Sequence, residues 1–434
     1  MDKSDFKDKK ILIMGLGLNG GGLEAAKFFY KLGGKITVTD LQSEDILKPT
    51  IEQLKSCPEI EYHLGHHLES DFNNTDIVIK NPGVPPTSKF LEIASKSGAT
   101  ITSDLEVFLN LATPKKIIAV TGTKGKSTTT TFISQILSSL EIENILAGNI
   151  GKSPLNTLGY EKNKYVVIEL SSFQIDDLGK KMPYFDTVAF TSIFPDHLNR
   201  YGTFDKYQES KLRLINYLKP DGTIVYPIDN FPQIKHLDSQ TAVQFDGGFK
   251  INLENDTPQN TLNFNAALLV VSNTTKLAVD KIIPKIGTLT PPRFRNQTIR
   301  TIDNILFIND STATNPTVTV GTLKNYDPTE SVVILGGSDK NLDSSILSKF
   351  INDKQFHVAL LNSPVGEKLS SLIHKDLIIS NCTQFEKAII DSYDFVKKIN
   401  GKFVILSPAA ASFGMFLNEF DRGEQFNEIV SKLQ

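Results

Sequence analysis

Lys126 and Ser127 close a glycine-rich run, Gly122-Thr-Lys-Gly-Lys-Ser127, that follows the apolar stretch Lys116–Val120. A helical pattern, Phe132–Leu137, comes after it. Glycines such as Gly122 and Gly125 let backbone N–H groups approach phosphate oxygens. A lysine adds charge, and a serine hydroxyl can ligate Mg²⁺. Strand, turn and helix in this order suit a nucleoside triphosphate. The spacing is shorter than GxxxxGK(S/T), because Val120 stands where the first glycine belongs. Thr123 and Thr128 belong to the cradle, and Lys124 reads as its solvated member.

Three further residues fit phosphoryl transfer. Glu169 ends the apolar run beginning at Tyr165. A carboxylate at a strand's carboxyl end can ligate metal, or it can favour the next helix as a first-turn acid. The metal is preferred, because a phosphate loop needs an acidic partner. His197 leaves the strand Thr187–Thr191 and is a second candidate ligand. Thr203–Leu218 reads as one amphipathic helix with Thr203 as its N-cap. At ~100° per residue, Phe204, Tyr207, Leu214, Ile215 and Leu218 share a face, with Lys211 in its middle. A lysine there must be paired, neutralised or modified. It either snorkels to a carboxylate or serves as a desolvated, nucleophilic amine. The helical wheel does not choose.

Another glycine loop, Gly15-Leu-Gly-Leu-Asn-Gly20, follows the strand Lys10–Met14 and opens a helix. Asp40 ends the next strand. The pattern fits the dinucleotide fingerprint and predicts a pyrophosphate beside Gly17, Leu18 and Asn19. The alternative is a tight turn without a ligand. Lys80-Asn-Pro-Gly-Val-Pro-Pro86, with Gly83, ends another strand and could line the same place. His63, His66 and His67 lie in a polar, loop-like stretch and read as surface residues.

These loops need strands to position them. Short β-type runs at 10–14, 35–39, 76–79, 116–120, 165–170, 187–191, 223–226, 331–335, 357–361, 377–380 and 402–407 alternate with helical patterns. The expected class is α/β, with mostly parallel sheets and sites at strand carboxyl ends. Breaks at Ala112–Lys116 and Thr288–Arg293 divide the chain into 1–112, 113–292 and 293–434. The expectation is a Rossmann-like N-terminal domain, a central P-loop-type ATPase domain and a C-terminal Rossmann-like domain. A net charge of −3 gives no reason to expect a nucleic-acid partner. No run approaches the ~18 to 20 apolar residues of a membrane span. Two cysteines, Cys57 and Cys382, exclude a disulfide framework and a cysteine-based zinc site. A cytoplasmic monomer is the expectation.

Eight stretches together resemble the Mur ligase family. They are GLGLNG (15–20), TGTKGKST (121–128), GNIG (148–151), ELSSFQ (169–174), DHLNRYGTFDKYQESKLR (196–213), NDSTATN (309–315), LGGSDK (335–340) and LSPAAASFGMF (406–416). They run through all three segments in the family's order, most like its members that add D-glutamate. The resemblance implies an ATP-dependent ligase of peptidoglycan precursor synthesis. It would join D-glutamate to UDP-N-acetylmuramoyl-L-alanine through an acyl phosphate, releasing ADP and phosphate. The first domain would hold the UDP substrate rather than NAD, the second ATP and two Mg²⁺. The third would bind the amino acid and close over the site.

Residue by residue, the resemblance gives Gly122–Thr128, Asn265, Arg293 and Asp310 to ATP. Ser127, Glu169, His197 and Lys211 go to the metals, and Lys126, His197 and Lys211 to catalysis. Gly17, Leu18, Asn19, Asp40, Gly83, Asn149, Ser171 and Gln174 go to the UDP substrate. Thr314, Lys340, Ser412 and Phe413 go to glutamate. Lys211 matches a lysine that the family carries as a CO₂-derived carbamate. Three positions depart from the pattern: Thr312 replaces a lysine, Leu268 an asparagine, and Phe420 sits one position late. They keep L-glutamate or another acidic amino acid, and a non-catalytic nucleotide-binding homologue, as alternatives. A folylpolyglutamate synthetase would lack the N-terminal loops, and an NAD dehydrogenase would leave the second glycine loop unexplained.

Overall fold

The computed structural model describes all residues except 1, 19, 151–152, 180–181, 230, 232–240, 252, 254–257, 340–341, 413 and 434, and the side chain of 199. Its strands form three sheets. The first contains β1 (Lys10–Met14), β2 (Lys35–Asp40), β3 (Glu61–Leu64), β4 (Ile77–Lys80) and β5 (Thr100–Thr102). They are parallel, in the order 3-2-1-4-5. The second contains β6 (Lys116–Thr121), β7 (Asn144–Gly148), β8 (Tyr165–Glu169), β9 (Phe185–Phe190), β10 (Leu218–Pro227) and β11 (Thr241–Phe245). These too are parallel, in the order 11-10-9-6-8-7.

The third contains β12 (Gln297–Ile302), β13 (Ile305–Asn309), β14 (Ser331–Leu335), β15 (His357–Leu361), β16 (Ile378–Cys382) and β17 (Phe403–Leu406). The order is 12-13-17-14-15-16, and only the β12–β13 hairpin is antiparallel. Asp303 and Asn304 make its turn with φ of 51° and 65°, as a primed hairpin turn requires.

Central strands such as β8 and β14 are buried along their whole length, because helices cover both faces. Their apolar runs made them visible in the sequence. The sequence pattern does not predict β3, β5, β7, β11, β12 or β13: β3, β11 and β12 are polar edge strands, whereas β13 is largely buried. The stretch around His63 is therefore partly strand, which corrects the loop reading. His63 pairs with Asp71 at 2.7 Å. His67 is half-buried against Phe72 and Phe90, with Nδ1 2.7 Å from the Thr39 hydroxyl. Of the three histidines only His66 is exposed.

Packing divides the chain between Leu289 and Thr290. In the first unit one apolar core runs from Ile11, Ile13 and Val38, through Leu105 and Phe108, to Ala119, Ile168 and Phe190. It joins the first two sheets. A second core lies under the helices Lys126–Ser139 and Pro258–Thr275 and includes Phe132, Phe264 and Leu268. The second unit has its own two cores, one containing Phe307 and Val404, the other Ile308 and Ile405. No helix among the described residues is long and apolar enough to cross a membrane.

Candidate active site

In the first unit the site grows from the carboxyl ends of four adjacent strands, β9, β6, β8 and β7. The glycine loop leaves β6 and becomes the helix Lys126–Ser139. At Gly122, φ is +151° and an added Cβ would lie 2.1 Å from the Thr191 hydroxyl. Gly125 is left-handed (φ +90°), and a Cβ there would sit 2.4 Å from Asn263 Oδ1. Only glycine fits either position. The helix start turns its first N–H groups toward the loop, the arrangement that binds anions.

The loop is braced by the exit of β9. Thr123 N–H donates to the Ser192 carbonyl at 2.7 Å, and Lys124 N–H to the Ser192 hydroxyl at 3.0 Å. The Thr123 hydroxyl donates to the Phe194 carbonyl at 3.1 Å and meets the Tyr207 hydroxyl at 3.1 Å. The Thr123 and Lys124 N–H groups thus hold the loop's shape. Lys126 Nζ donates to the carbonyls of Gly122 and Thr123, both at 3.0 Å. Ser127 and Thr128 are buried in the first turn.

Glu169 ends β8 with 1 % exposure. Its Oε1 accepts from Asn149 Nδ2 at 3.0 Å, and its Oε2 is buried without a hydrogen-bond partner. A buried, unpartnered carboxylate oxygen is costly unless something else binds it. A hard cation is the natural occupant. Asn149 N–H also donates to the Glu169 carbonyl at 2.9 Å. Gly148, at φ +97°, allows this close approach, since a Cβ would lie 2.2 Å from that carbonyl. No cluster of three or more His, Cys, Asp or Glu side chains is placed to hold a metal among the described residues. An ion at Glu169 would therefore draw part of its coordination from outside that set.

Lys211 is 2 % exposed, on the helix Phe204–Leu212. Burial, with Lys126 nearby, holds its amine well below the usual lysine range, while Asp196, Asp176 and Glu169 pull the other way. Burial wins, because among the described residues none of these carboxylates reaches ion-pair distance. The amine lies 4.8 Å from the centre of the Tyr207 ring. The Thr203 side chain caps this helix as expected. The helix ends at Leu212, however, and Arg213–Tyr217 is a 3-10 turn leading into β10. The sequence pattern predicts a helix as far as Leu218; Pro220 soon after disfavours that.

His197 adopts the left-handed region (φ 51°). Its ring lies 4.8 Å from Phe173 and 6.1 Å from Tyr207, so Tyr207 contacts the loop, His197 and Lys211. The sequence showed Tyr207 only as a member of the buried face.

Other expected residues serve the protein's own backbone. Asp40 Oδ2 accepts from the N–H groups of Leu16 and Gly17 at 2.8 and 3.0 Å, so its carboxylate fills the first glycine turn. Leu18 is half-buried and packs against the first core. Gly83 N–H donates to Asn81. Ser171 and Gln174 form a reciprocal capping box on the helix Ser172–Asp176. Asn265 holds Phe249 through both N–H and C=O, each at 2.9 Å. Asn19, Lys340 and Phe413 lie outside the described residues.

Comparison with known proteins decides the family. Residues 120–276 match the model of the Mur ligase middle domain, and residues 9–103 that of the MurD-like N-terminal domain. A UDP-N-acetylmuramoylalanine–D-glutamate ligase of Roseiflexus sp. (strain RS-1) is 32% identical, over 97% of this chain and 98% of its own. The chain belongs to the Mur ligase family. A ligase of the same name from Borreliella afzelii (strain PKo) is 32% identical over 100% of both chains. The crystal structure of UDP-N-acetylmuramate-alanine ligase MurC from Thermotoga maritima shares the fold: TM-score 0.59, 17% identity, 98% of this chain and 99% of that one.

In the second unit of this Mur ligase three motif loops leave the carboxyl ends of β13, β17 and β14. Asp310, after β13, accepts from Asn296 N–H, from the Thr322 hydroxyl at 2.6 Å and from the Ser407 hydroxyl at 3.0 Å. Gly336 N–H donates to the Pro408 carbonyl at 3.0 Å, and Ser338 N–H to the Ala411 carbonyl at 2.8 Å. Gly337 permits this, since a Cβ there would lie 2.2 Å from the Ala411 oxygen. Thr314 is half-buried, and Ser412 is buried with its hydroxyl unpartnered. Thr312, the first of the three expected departures, donates its hydroxyl to the Phe294 carbonyl at 2.8 Å. Arg293 is exposed and pairs with Glu424 at 2.8 Å. Leu268, the second departure, is wholly inside the core.

Proposed function

We propose that this Mur ligase joins D-glutamate to UDP-N-acetylmuramoyl-L-alanine at the expense of ATP, in peptidoglycan precursor synthesis. The observation that carries the site assignment is Glu169 Oε2, buried and unpartnered beside the glycine loop and its helix start. Full-length identity to ligases of that name supports the reaction. The domain division proposed is 1–112 for the UDP substrate, 113–292 for ATP and 293–434 for the amino acid. The proposed setting is a cytoplasmic monomer.

The γ-phosphoryl group of ATP passes to the substrate's free carboxylate, and the bond to ADP breaks. The acyl phosphate has a good leaving group where the carboxylate had none. The neutral amine of glutamate adds to its carbonyl carbon. The tetrahedral adduct collapses, phosphate leaves, and the amine's proton is released. Lys126 and the first N–H groups of its helix offset the phosphate charge. Ser127, Glu169, His197 and a modified Lys211 are the proposed holders of two Mg²⁺ ions. Bound there, Mg²⁺ would neutralise charge on the transferring group.

The carbamate is proposed for Lys211 because its amine is buried and low in basicity. A neutral amine adds CO₂ and loses one proton, giving a carboxylate. Labelled CO₂ should give a carbamate ¹³C resonance that Lys211→Ala abolishes. The reaction is tested by phosphate release from ATP, Mg²⁺ and UDP-N-acetylmuramoyl-L-alanine with D-glutamate, L-glutamate, D-aspartate or no amino acid. Release with D-glutamate alone is expected. Release with a different amino acid would move Thr312 into specificity, and ATP binding without any release would refute the ligase.

A further inference from the structure

Arg422 is completely buried in the second unit, on the helix Glu419–Lys432. Its Nε donates to the Ser311 hydroxyl at 3.0 Å. Its Nη2 donates to the Ser311 carbonyl at 2.8 Å and to the Ala410 carbonyl at 3.1 Å. Its Nη1 is buried without a partner. Among the described residues no carboxylate lies within ion-pair distance, although Glu419 and Asp310 are near enough to favour the charge. Burial pushes the guanidinium down to about 10, so it remains charged at neutral pH. A buried cation held only by carbonyls and a hydroxyl is expensive for stability alone.

Its position explains the expense. Ser311 opens the loop that carries Thr314, and Ala410 belongs to the loop that carries Ser412. The two loops leave β13 and β17, which are neighbours in the sheet. At their junction Ala409 takes a left-handed conformation, φ +60°, costly for a residue with a Cβ. One planar fork with several donors spans both loops, which a lysine cannot reproduce. Ser311 is also fixed from the other side, since its hydroxyl donates to the Glu419 carbonyl at 2.7 Å. Thr312 adds no charge to this loop, and its hydroxyl is turned to the Phe294 carbonyl.

We propose that Arg422 is a positioning residue of the amino-acid pocket: it locks the Ser311–Thr314 loop to the Ala410–Ser412 loop and supplies positive potential for an acidic amino acid. This rests on the assignment of Thr314 and Ser412 to that pocket. The test uses the full chain, with phosphate release followed against D-glutamate, ATP and UDP-substrate concentration for Arg422→Lys, Arg422→Met and Ser412→Ala. Thermal melting confirms folding of each. Arg422→Met should raise KM for D-glutamate about tenfold or more while KM for ATP stays within about twofold, and Arg422→Lys should recover part of the loss. If Arg422→Met does not fold, Arg422→Lys alone carries the comparison. Unchanged KM for D-glutamate in the folded variants, with only a lower melting temperature, would overturn the proposal. Unchanged KM in Ser412→Ala would instead remove the pocket assignment, and the proposal with it.

Discussion

Glu169 has one oxygen held and one open. Asn149 holds Oε1 at 3.0 Å and leaves Oε2 pointing into a buried space without a donor. A ligand carboxylate fixed by an amide behind it is the usual way a protein aims a metal ligand. Asn149→Ala should therefore raise the Mg²⁺ concentration for half-maximal activity by about 10 to 100-fold, with little change in melting temperature. A titration of activity against Mg²⁺ checks this. Glu169→Gln keeps the shape but replaces a carboxylate oxygen by an amide; a fall in kcat of about 100-fold or more is expected. Single residues were partly legible in the sequence. Lys211 and Glu169 stood out because a charge at a buried position or strand end breaks the local pattern. Tyr207, Ser192 and Arg422 did not, because their partners are distant in the chain.

Elements decide how such residues are aimed. The glycine loop keeps its form because Thr191 and Ser192, at the end of β9, press against it. Gly122→Ala should abolish ATP binding, since its Cβ would fall 2.1 Å from the Thr191 hydroxyl; a fluorescent-nucleotide titration would show this. A second junction joins the end of β4 to the helix Ser172–Asp176. Lys80 Nζ donates to the Val84 carbonyl at 2.9 Å and lies 2.7 Å from Asp177 Oδ1. Both side chains of this ion pair are buried.

Burial raises Asp177 from 3.8 to about 7 despite Lys80, and burial also lowers Lys80. Between those two values the folded chain keeps a proton that the unfolded chain has lost. This group therefore makes stability fall as pH rises from 3.8 to about 7, and adds no further slope above. Asp177→Asn should flatten the dependence of melting temperature on pH in that window. Strands of this kind were legible where both faces are buried, as in β8 and β14. The edge strands β3 and β12 were not, because half-exposed polar residues suffice there; the largely buried β13 was missed as well, although the edge strand β16 was read.

The molecule as a whole is two packing units, and their cores differ in kind. Apolar contacts run from the first sheet into the second, so the Pro-containing stretch near Thr113 does not separate their cores. The unit Thr290–Gln434 has apolar cores on both faces of its own sheet. Expressed alone, it should show a cooperative thermal transition by circular dichroism and no ATP-dependent phosphate release. A molten profile would show that its cores are not self-sufficient. At this scale the βα alternation was enough to predict parallel sheets, because only crossover helices connect parallel strands over such distances. The merging of two sheets around one core was not legible, since it depends on helix Asp104–Leu111 reaching both.

In the proposed reaction ATP activates a carboxylate at the carboxyl ends of β6 and β8. UDP-N-acetylmuramoyl-L-alanine labelled with ¹⁸O in its free carboxylate tests it most directly, with phosphate recovered after one turnover with D-glutamate and analysed by mass. An acyl phosphate transfers one carboxylate oxygen to phosphate, so phosphate carrying one ¹⁸O is predicted. Unlabelled phosphate, released at the same rate, would contradict carboxylate activation and with it the reaction proposed for this chain.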